Sequence, residues 1–265
     1  MTVIDDRLRA SQQLIIDVYR SYRDKLLESY GRIDFELKSD QSQVTELDIE
    51  VEQTLRLKLQ ETYPEYGFQG EETGKIGNTE QFWLVDPIDG TTSFVRGVPN
   101  CTNMAAFIVG RQPVAAVIYN FVEDELYTAI LGEGAFKNGQ PIHVSNRDIA
   151  ESAVDNISSS IYADLQMVLR PHGIRMLQPL GAMGRSFSLV AEGKLDAALI
   201  INTLAATHDR APGALIIREA GGKIVSFEGD VWDIDTKNFA VGNARIVEFL
   251  KTKAQDIKQI IQARS

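Results

Sequence analysis

Cysteine occurs once, at Cys101. No intrachain disulfide can form, and no cysteine-based zinc site can be built. Histidine occurs three times, at His143, His172 and His208, with no ligand spacing, which argues against a histidine zinc centre. Long apolar runs are missing too. No stretch reaches the roughly 20 residues that span a bilayer, and the charged N-terminal region lacks the apolar core of a signal peptide. Basic clustering is absent: 37 acidic side chains outnumber 27 basic ones, for a formal net charge of -10, the opposite of a nucleic-acid footprint. There is no repeat and no low-complexity linker. The expectation is a cytoplasmic protein with neither a membrane nor a nucleic-acid partner. What remains is a chain of 265 residues, 44% hydrophobic and 24% charged, ordinary for a soluble protein and able to bury a substantial core.

The most informative string is Asp86-Pro87-Ile88-Asp89-Gly90-Thr91-Thr92-Ser93. It follows Phe82-Trp83-Leu84-Val85, which reads as a short buried strand. Proline disfavours helical dihedrals in the residue before it, so Asp86 is expected extended at the strand's end. Asp89-Gly90 then turns the chain, and Thr-Thr-Ser supplies helix-starting chemistry. Asp-Gly turns are common, so neither aspartate alone would carry much weight. Together they set two carboxylates beside free backbone N–H groups. Carboxylates hold hard divalent cations and helix starts hold anions, so the string reads as a phosphoryl-transfer site.

Along the chain, Ile4, Leu8, Ile15, Val18, Tyr22 and Leu26 recur at helical spacing. Val44, Leu47, Val51, Leu55 and Leu59 write a second helix ending before Pro64. Gly67 and Gly70-Glu71 mark a turn, and Gly74 to Asn78 a polar loop. Strand-like runs follow at 103–109, 113–121 and Glu125 to Ile130, and Asn138-Gly139 signals a hairpin. The second half mixes strands at 153–158, Ala197 to Ile201, Lys223 to Phe227 and Phe239 to Val241 with helices near 161–170, from Gly184 to Glu192 and from about Asp209. A single closing helix carries Ile246 to Ile260. Two intimately packed subdomains are expected, an α+β unit over 1–145 and an α/β unit over 146–265, with a site between them.

Other acidic positions read less sharply on their own. Gly70-Glu71-Glu72 resembles a solvated loop, Asp48 a solvated helix residue, and Asp209 an N-cap ahead of Pro212. Taken together and in this order, however, these places resemble the inositol monophosphatase family. The resemblance runs from Val44-Thr45-Glu46-Leu47-Asp48 through Gly70-Glu71-Glu72 and the central string to His208-Asp209 and Glu219-Ala220-Gly221-Gly222. Leu131 to Gly139 looks like that family's connecting hairpin.

The resemblance implies a layered α-β-α-β-α sandwich of the inositol monophosphatase and fructose-1,6-bisphosphatase type, and a homodimer. It implies Mg2+-dependent, lithium-sensitive hydrolysis of a small phosphate monoester by metal-activated water. Two or three Mg2+ ions would be held by Glu71, Asp86, the Ile88 carbonyl, Asp89 and Asp209. Asp48 and Thr91 would orient the attacking water, while Gly90, Thr91 and Thr92 would bind phosphate. Gly181, Ala182, Met183, Arg185 and Asn202 would face the substrate, although Arg185 on its own reads more readily as a member of a surface ion pair. The chain departs from the pattern in places. Ser42 stands where many members carry aspartate, Ser93 replaces a frequent asparagine, and His208 a usual tryptophan. Ile200 to Leu204 lacks the glutamate with which inositol-preferring members hold ring hydroxyls. Histidinol phosphate and fructose 1,6-bisphosphate therefore rival inositol phosphate as substrates. A 3′-phosphonucleotide fits less well, because Thr92 occupies the lysine position of that family. A non-catalytic regulatory or binding protein on the same fold is the alternative of another class.

Overall fold

The computed structural model describes residues 6–156, 161–177, 182–201, 205–229 and 231–264. The chain opens with α1 (Asp6–Ser29), a short ladder of β1 (Glu36–Leu37) and β2 (Gln43–Val44), and α2 (Glu46–Thr62). Then come β3 (Gly67–Gly70), β4 (Gly74–Ile76), β5 (Gln81–Asp89), α3 (Thr91–Arg96), β6 (Thr102–Val109), β7 (Gln112–Asn120), β8 (Glu125–Ile130), β9 (Gly134–Lys137) and β10 (Gln140–Pro141). The second half comprises β11 (Ala153–Asn156), α4 (Tyr162–Leu169), β12 (Arg175–Leu177), α5 (Met183–Ala191), β13 (Ala197–Ile200), α6 (Thr207–Glu219), β14 (Lys223–Ser226), β15 (Phe239–Gly242), α7 (Ala244–Thr252) and α8 (Ala254–Arg264).

Two sheets organise these elements. The first has eight strands in the order β10-β9-β8-β7-β6-β5-β3-β4, antiparallel except where β3 and β5 run parallel. The second has five, in the order β12-β11-β13-β15-β14. Each sheet is apolar on both faces. On β5, Trp83 and Val85 join the core under α1 and α2, while Phe82 and Leu84 join the one under α5 and α6. On β13, Ala198 and Ile200 face that same middle core, and Ala197 and Leu199 face the outer core of α4, α7 and α8. Because side chains alternate across a strand, two-sided cover demands continuous apolar runs, which these strands have. Each large side chain so buried stabilises the fold by about 1.5–3 kcal/mol. The outcome is the α-β-α-β-α sandwich that the resemblance implies.

Several local expectations are corrected. Gly67–Gly70 and Gly74–Ile76 form an antiparallel hairpin rather than a turn and a loop. Its outer strand is exposed throughout, so no apolar alternation marked it. Val44 lies in a strand, and Thr45 caps α2. The closing helix breaks at Lys253 into α7 and α8. Asp209 is not the N-cap of α6: Ala206 is, and Asp209 lies in the first turn, its Oδ2 accepting the Ala206 N–H at 2.6 Å. Ile4 and residues 157 and 158 lie outside the described residues. The Asn138-Gly139 turn forms with φ of 48° and 76°, the left-handed pair that a two-residue hairpin loop requires.

Candidate active site

The strand before the central motif does not end at Asp86. It continues to Asp89 with a bulge: Asp86 opposes Met104 and Asp89 opposes Thr102, so three steps on β5 match two on β6. The bulge contains Pro87, which has no N–H to offer a ladder. Asn103 secures it, donating from Nδ2 to the Pro87 carbonyl at 2.6 Å. In a regular strand, residues three apart point to opposite faces. The extra residue reverses that phase and lets both aspartates serve one site. Gly90 then takes φ 81° and opens α3; a side chain there would also strike the Asn100 carbonyl at 2.6 Å.

Parallel pairing brings in Glu71. Gly70 is in register with Val85, and the Glu71 N–H reaches the Val85 carbonyl at 3.2 Å, which seats Glu71 beside Asp86. Asp209 arrives from the first turn of α6. Ligand atoms of Asp86, Asp89 and Asp209 lie within 4.8 Å of one another, as do those of Glu71, Asp86 and His208. Asp86 is 1% exposed, and its Oδ1 has no hydrogen-bond partner among the described residues. Burial, then Glu71, Asp209 and Asp89, push its carboxyl well above the usual range. Burial and Asp209 push Asp89 up to about 7, against donation from the Gly184 and Met183 N–H groups and the Thr102 hydroxyl. Asp209 is raised as well, chiefly by burial. Crowded, buried carboxylates with an orphaned oxygen suit a hard divalent cation.

The Asp48–Thr91 pair stands next to this cluster. Asp48 is buried in the first turn of α2, where its Oδ2 accepts from the Thr45 N–H at 2.8 Å and the Thr45 hydroxyl at 2.5 Å. Its Oδ1 accepts from the Thr91 hydroxyl at 3.3 Å, and that hydroxyl also lies 3.0 Å from the Ile88 carbonyl. Burial raises Asp48 to about 7, with the Thr45 hydrogen bonds opposing.

The remaining sequence-predicted positions are spread more widely. Met183 and Gly184 donate backbone N–H groups to Asp89 at 3.2 and 2.6 Å. Ala182 packs on Gly90, and Thr92 is exposed on α3. Arg185 is committed elsewhere, pairing with Glu123 at 2.7 Å and Glu125 at 2.9 Å. Gly181 and Asn202 lie outside the described residues.

Three participants escaped the sequence reading. Glu52 is fully buried on α2 and accepts the N–H groups of Glu72 and Thr73 at 2.8 and 2.6 Å, tying down the segment that carries Glu71. Gly70 makes room for it, since an added Cβ would lie 2.1 Å from the Glu52 carboxylate. Lys38 bridges Glu71 at 2.7 Å and Glu72 at 2.5 Å. His208 has Nε2 3.7 Å from Glu71 and 3.8 Å from Asp209, and its adjacency to Asp209 was the signal available.

A buried carboxylate cluster at a bulged strand end between two sheets defines a metal-dependent phosphatase class. Residues 6–262 match the profile of the inositol monophosphatase family, and the chain belongs to that family and is a phosphoric monoester hydrolase. It is 34% identical to inositol monophosphatase 2 of Solanum lycopersicum over 239 residues, 85% of this chain and 87% of that protein. It is 31% identical to the Nus factor SuhB of Pseudomonas aeruginosa over 265 residues, 94% of each. The solved structure of an IMPase from Thermotoga maritima superposes with a TM-score of 0.83 at 26% identity, covering 98% of this chain and 100% of that one. Among the described residues, no helix is long and apolar enough to cross a membrane.

Glu52 gives the first prediction. Glu52→Gln replaces one of two accepting oxygens by a donor and loosens the Glu71 segment. The Mg2+ concentration for half-maximal phosphate release is expected to rise roughly 10-fold or more, the usual scale for a group that orients a ligand. An unchanged Mg2+ titration would remove Glu52 from that role.

Proposed function

We propose that the protein hydrolyses a small phosphate monoester with Mg2+, in the manner of an inositol monophosphatase converting myo-inositol phosphate to inositol and phosphate. The observation that carries this is the convergence of Glu71, Asp86, Asp89 and Asp209 beside the Asp48–Thr91 pair. In this reading Glu71, Asp86 and the Ile88 carbonyl would hold one cation and Asp86, Asp89 and Asp209 a second, with a weaker third beside Glu71. Bound divalent cations supply Lewis-acid stabilisation of phosphoryl charge and acidify water. Asp48, as carboxylate, takes the Thr91 hydroxyl proton in a hydrogen bond, which frees a Thr91 lone pair to accept from water and aim it in line at phosphorus. Gly90, Thr91 and Thr92 offer N–H groups to phosphate oxygens. Residues 1–145 contribute most ligands and 146–265 close the site, with Ala182 and Met183 on the substrate side. Lithium sensitivity, a homodimeric state and a cytoplasmic location belong to the same reading.

The test is phosphate release from inositol, histidinol, sugar and nucleotide phosphates, scored by kcat/KM with Mg2+ and again with EDTA. We expect turnover that EDTA abolishes and Mg2+ restores, with the largest value naming the substrate. A second reading, a regulatory protein on the same scaffold, is favoured by the similarity to a protein named a Nus factor. Absence of metal-dependent turnover on every monoester would sustain it and overturn the first.

A further inference from the structure

We propose that His208 is a nitrogen ligand to the cation held by Glu71 and Asp86, which gives this site mixed oxygen and nitrogen donors and a preference for Mn2+ over Mg2+. The inference rests on the metal chemistry proposed above and refines one of its sites.

The geometry is the first support. His208 is the second residue of α6, directly before Asp209, and a ring nitrogen lies within 4.8 Å of ligand atoms of both Glu71 and Asp86. Ligands about 2.1 Å from an octahedral ion sit about 3 Å apart when adjacent and about 4.2 Å apart when opposite. The separations of 3.7 Å to Glu71 Oε2 and 3.8 Å to Asp209 Oδ1 are under the opposite-ligand spacing, so one ion can touch both members of either pair. They are also too long for hydrogen bonds, so the imidazole does not satisfy these carboxylates directly.

Two further observations point to a ligand. Asp86 Oδ1 is buried and has no hydrogen-bond partner among the described residues. On Glu71, Lys38 takes Oε1 at 2.7 Å, and Oε2 is the oxygen nearest the imidazole. Lys38 and His208 thus approach different oxygens of one carboxylate. Chemistry then selects the ion. Imidazole suits borderline first-row cations, whereas Mg2+ is hard, prefers oxygen and dehydrates reluctantly.

The experiment uses the full-length protein freed of metal and loaded with Mn2+ alone. Pulsed EPR is expected to show nitrogen modulation from a directly bound imidazole, lost in His208→Gln and in His208→Asn. Calorimetric titration should show Mn2+ binding weakened about 10- to 100-fold by His208→Gln, on the scale of a lost ligand contact, and Mg2+ binding changed by less than about threefold. His172, whose ring lies 4.9 Å from Phe249, is the control: His172→Gln should keep the modulation. Bound Mn2+ with no nitrogen modulation in the unmodified protein would overturn the inference and leave the oxygen-only site standing, as would modulation that survives His208→Gln. Mn2+ binding indifferent to Asp86→Asn would overturn both the inference and the metal site beneath it.

Discussion

Asp89→Asn is expected to lower kcat/KM for Mg2+-dependent phosphate release by roughly 10²- to 10⁴-fold, the equivalent of the several kcal/mol that a cation supplies to phosphoryl transfer. The change is nearly isosteric, yet the site has no place for an amide. Asp89 Oδ2 accepts from the Gly184 N–H at 2.6 Å and the Thr102 hydroxyl at 3.1 Å, and Oδ1 from the Met183 N–H at 3.2 Å. An asparagine must turn its NH2 either toward these donors or toward the cation. Gly184 cannot retreat easily, since even a Cβ there would lie 2.1 Å from the Thr102 hydroxyl and 3.0 Å from Asp89.

Stability separates this loss from simple misfolding. Asp89 is held up at about 7 in the metal-free protein, so the folded state keeps a proton that the unfolded chain has released. Stability therefore falls as pH rises from about 4 through 7, and the non-titrating asparagine escapes that fall. The cation reverses the sign for the unmodified protein alone: binding only the folded state at about 100 times Kd adds about 2.7 kcal/mol. Mg2+ should raise Tm in the unmodified protein and do so far less in Asp89→Asn. Ligation needs ionised carboxylates, so half-saturating Mg2+ should also climb as pH drops below 7. A variant within threefold of full kcat/KM at saturating Mg2+ would remove Asp89 from the chemistry.

How much of this was readable beforehand divides along local and non-local lines. The string from Asp86 to Ser93 announced itself because strand, turn and helix start each leave a mark within a few residues. The bulge inside it did not. One extra residue in a ladder changes the phase of every side chain beyond it, and only pairing with β6 reveals it. Glu71 and Asp209 read as loop and cap until the family resemblance joined them, since no periodicity encodes the parallel β3–β5 register that brings Glu71 to Asp86. Glu52 was the hardest. A glutamate on a helix usually faces water, and nothing in its neighbours shows that two backbone N–H groups from the β3–β4 hairpin enclose it. The strands β5, β6 and β7, by contrast, were legible from their unbroken apolar runs, whereas their layering came only with the family resemblance.

Asp155→Asn carries the largest expected effect on stability outside the cluster. Asp155 is on β11, an interior strand bonded to both β12 and β13, and is 0% exposed. Its neighbour Val154 points into the outer core, so the carboxyl points the other way, toward Ser186 on α5. Neither oxygen finds a hydrogen-bond partner among the described residues. Burial raises the carboxyl to about 7, with the nearby Ser186 hydroxyl opposing. A folded-state value above the unfolded one makes the contribution unfavourable as soon as the unfolded chain ionises. The penalty is absent below about pH 4, grows through the window up to about 7 and is constant above it. Three units correspond to on the order of 4 kcal/mol at pH 8. Asparagine fills the same space without titrating, so subtracting the two Tm profiles cancels every other group and isolates this one. Asp155→Asn is expected to gain on the unmodified protein as pH rises from 4 to 8, reaching roughly 8–16 °C in Tm for a chain of this size. A difference that stays flat across that window would mean that the carboxylate is already matched by a donor in the fold, and the argument from burial would fail.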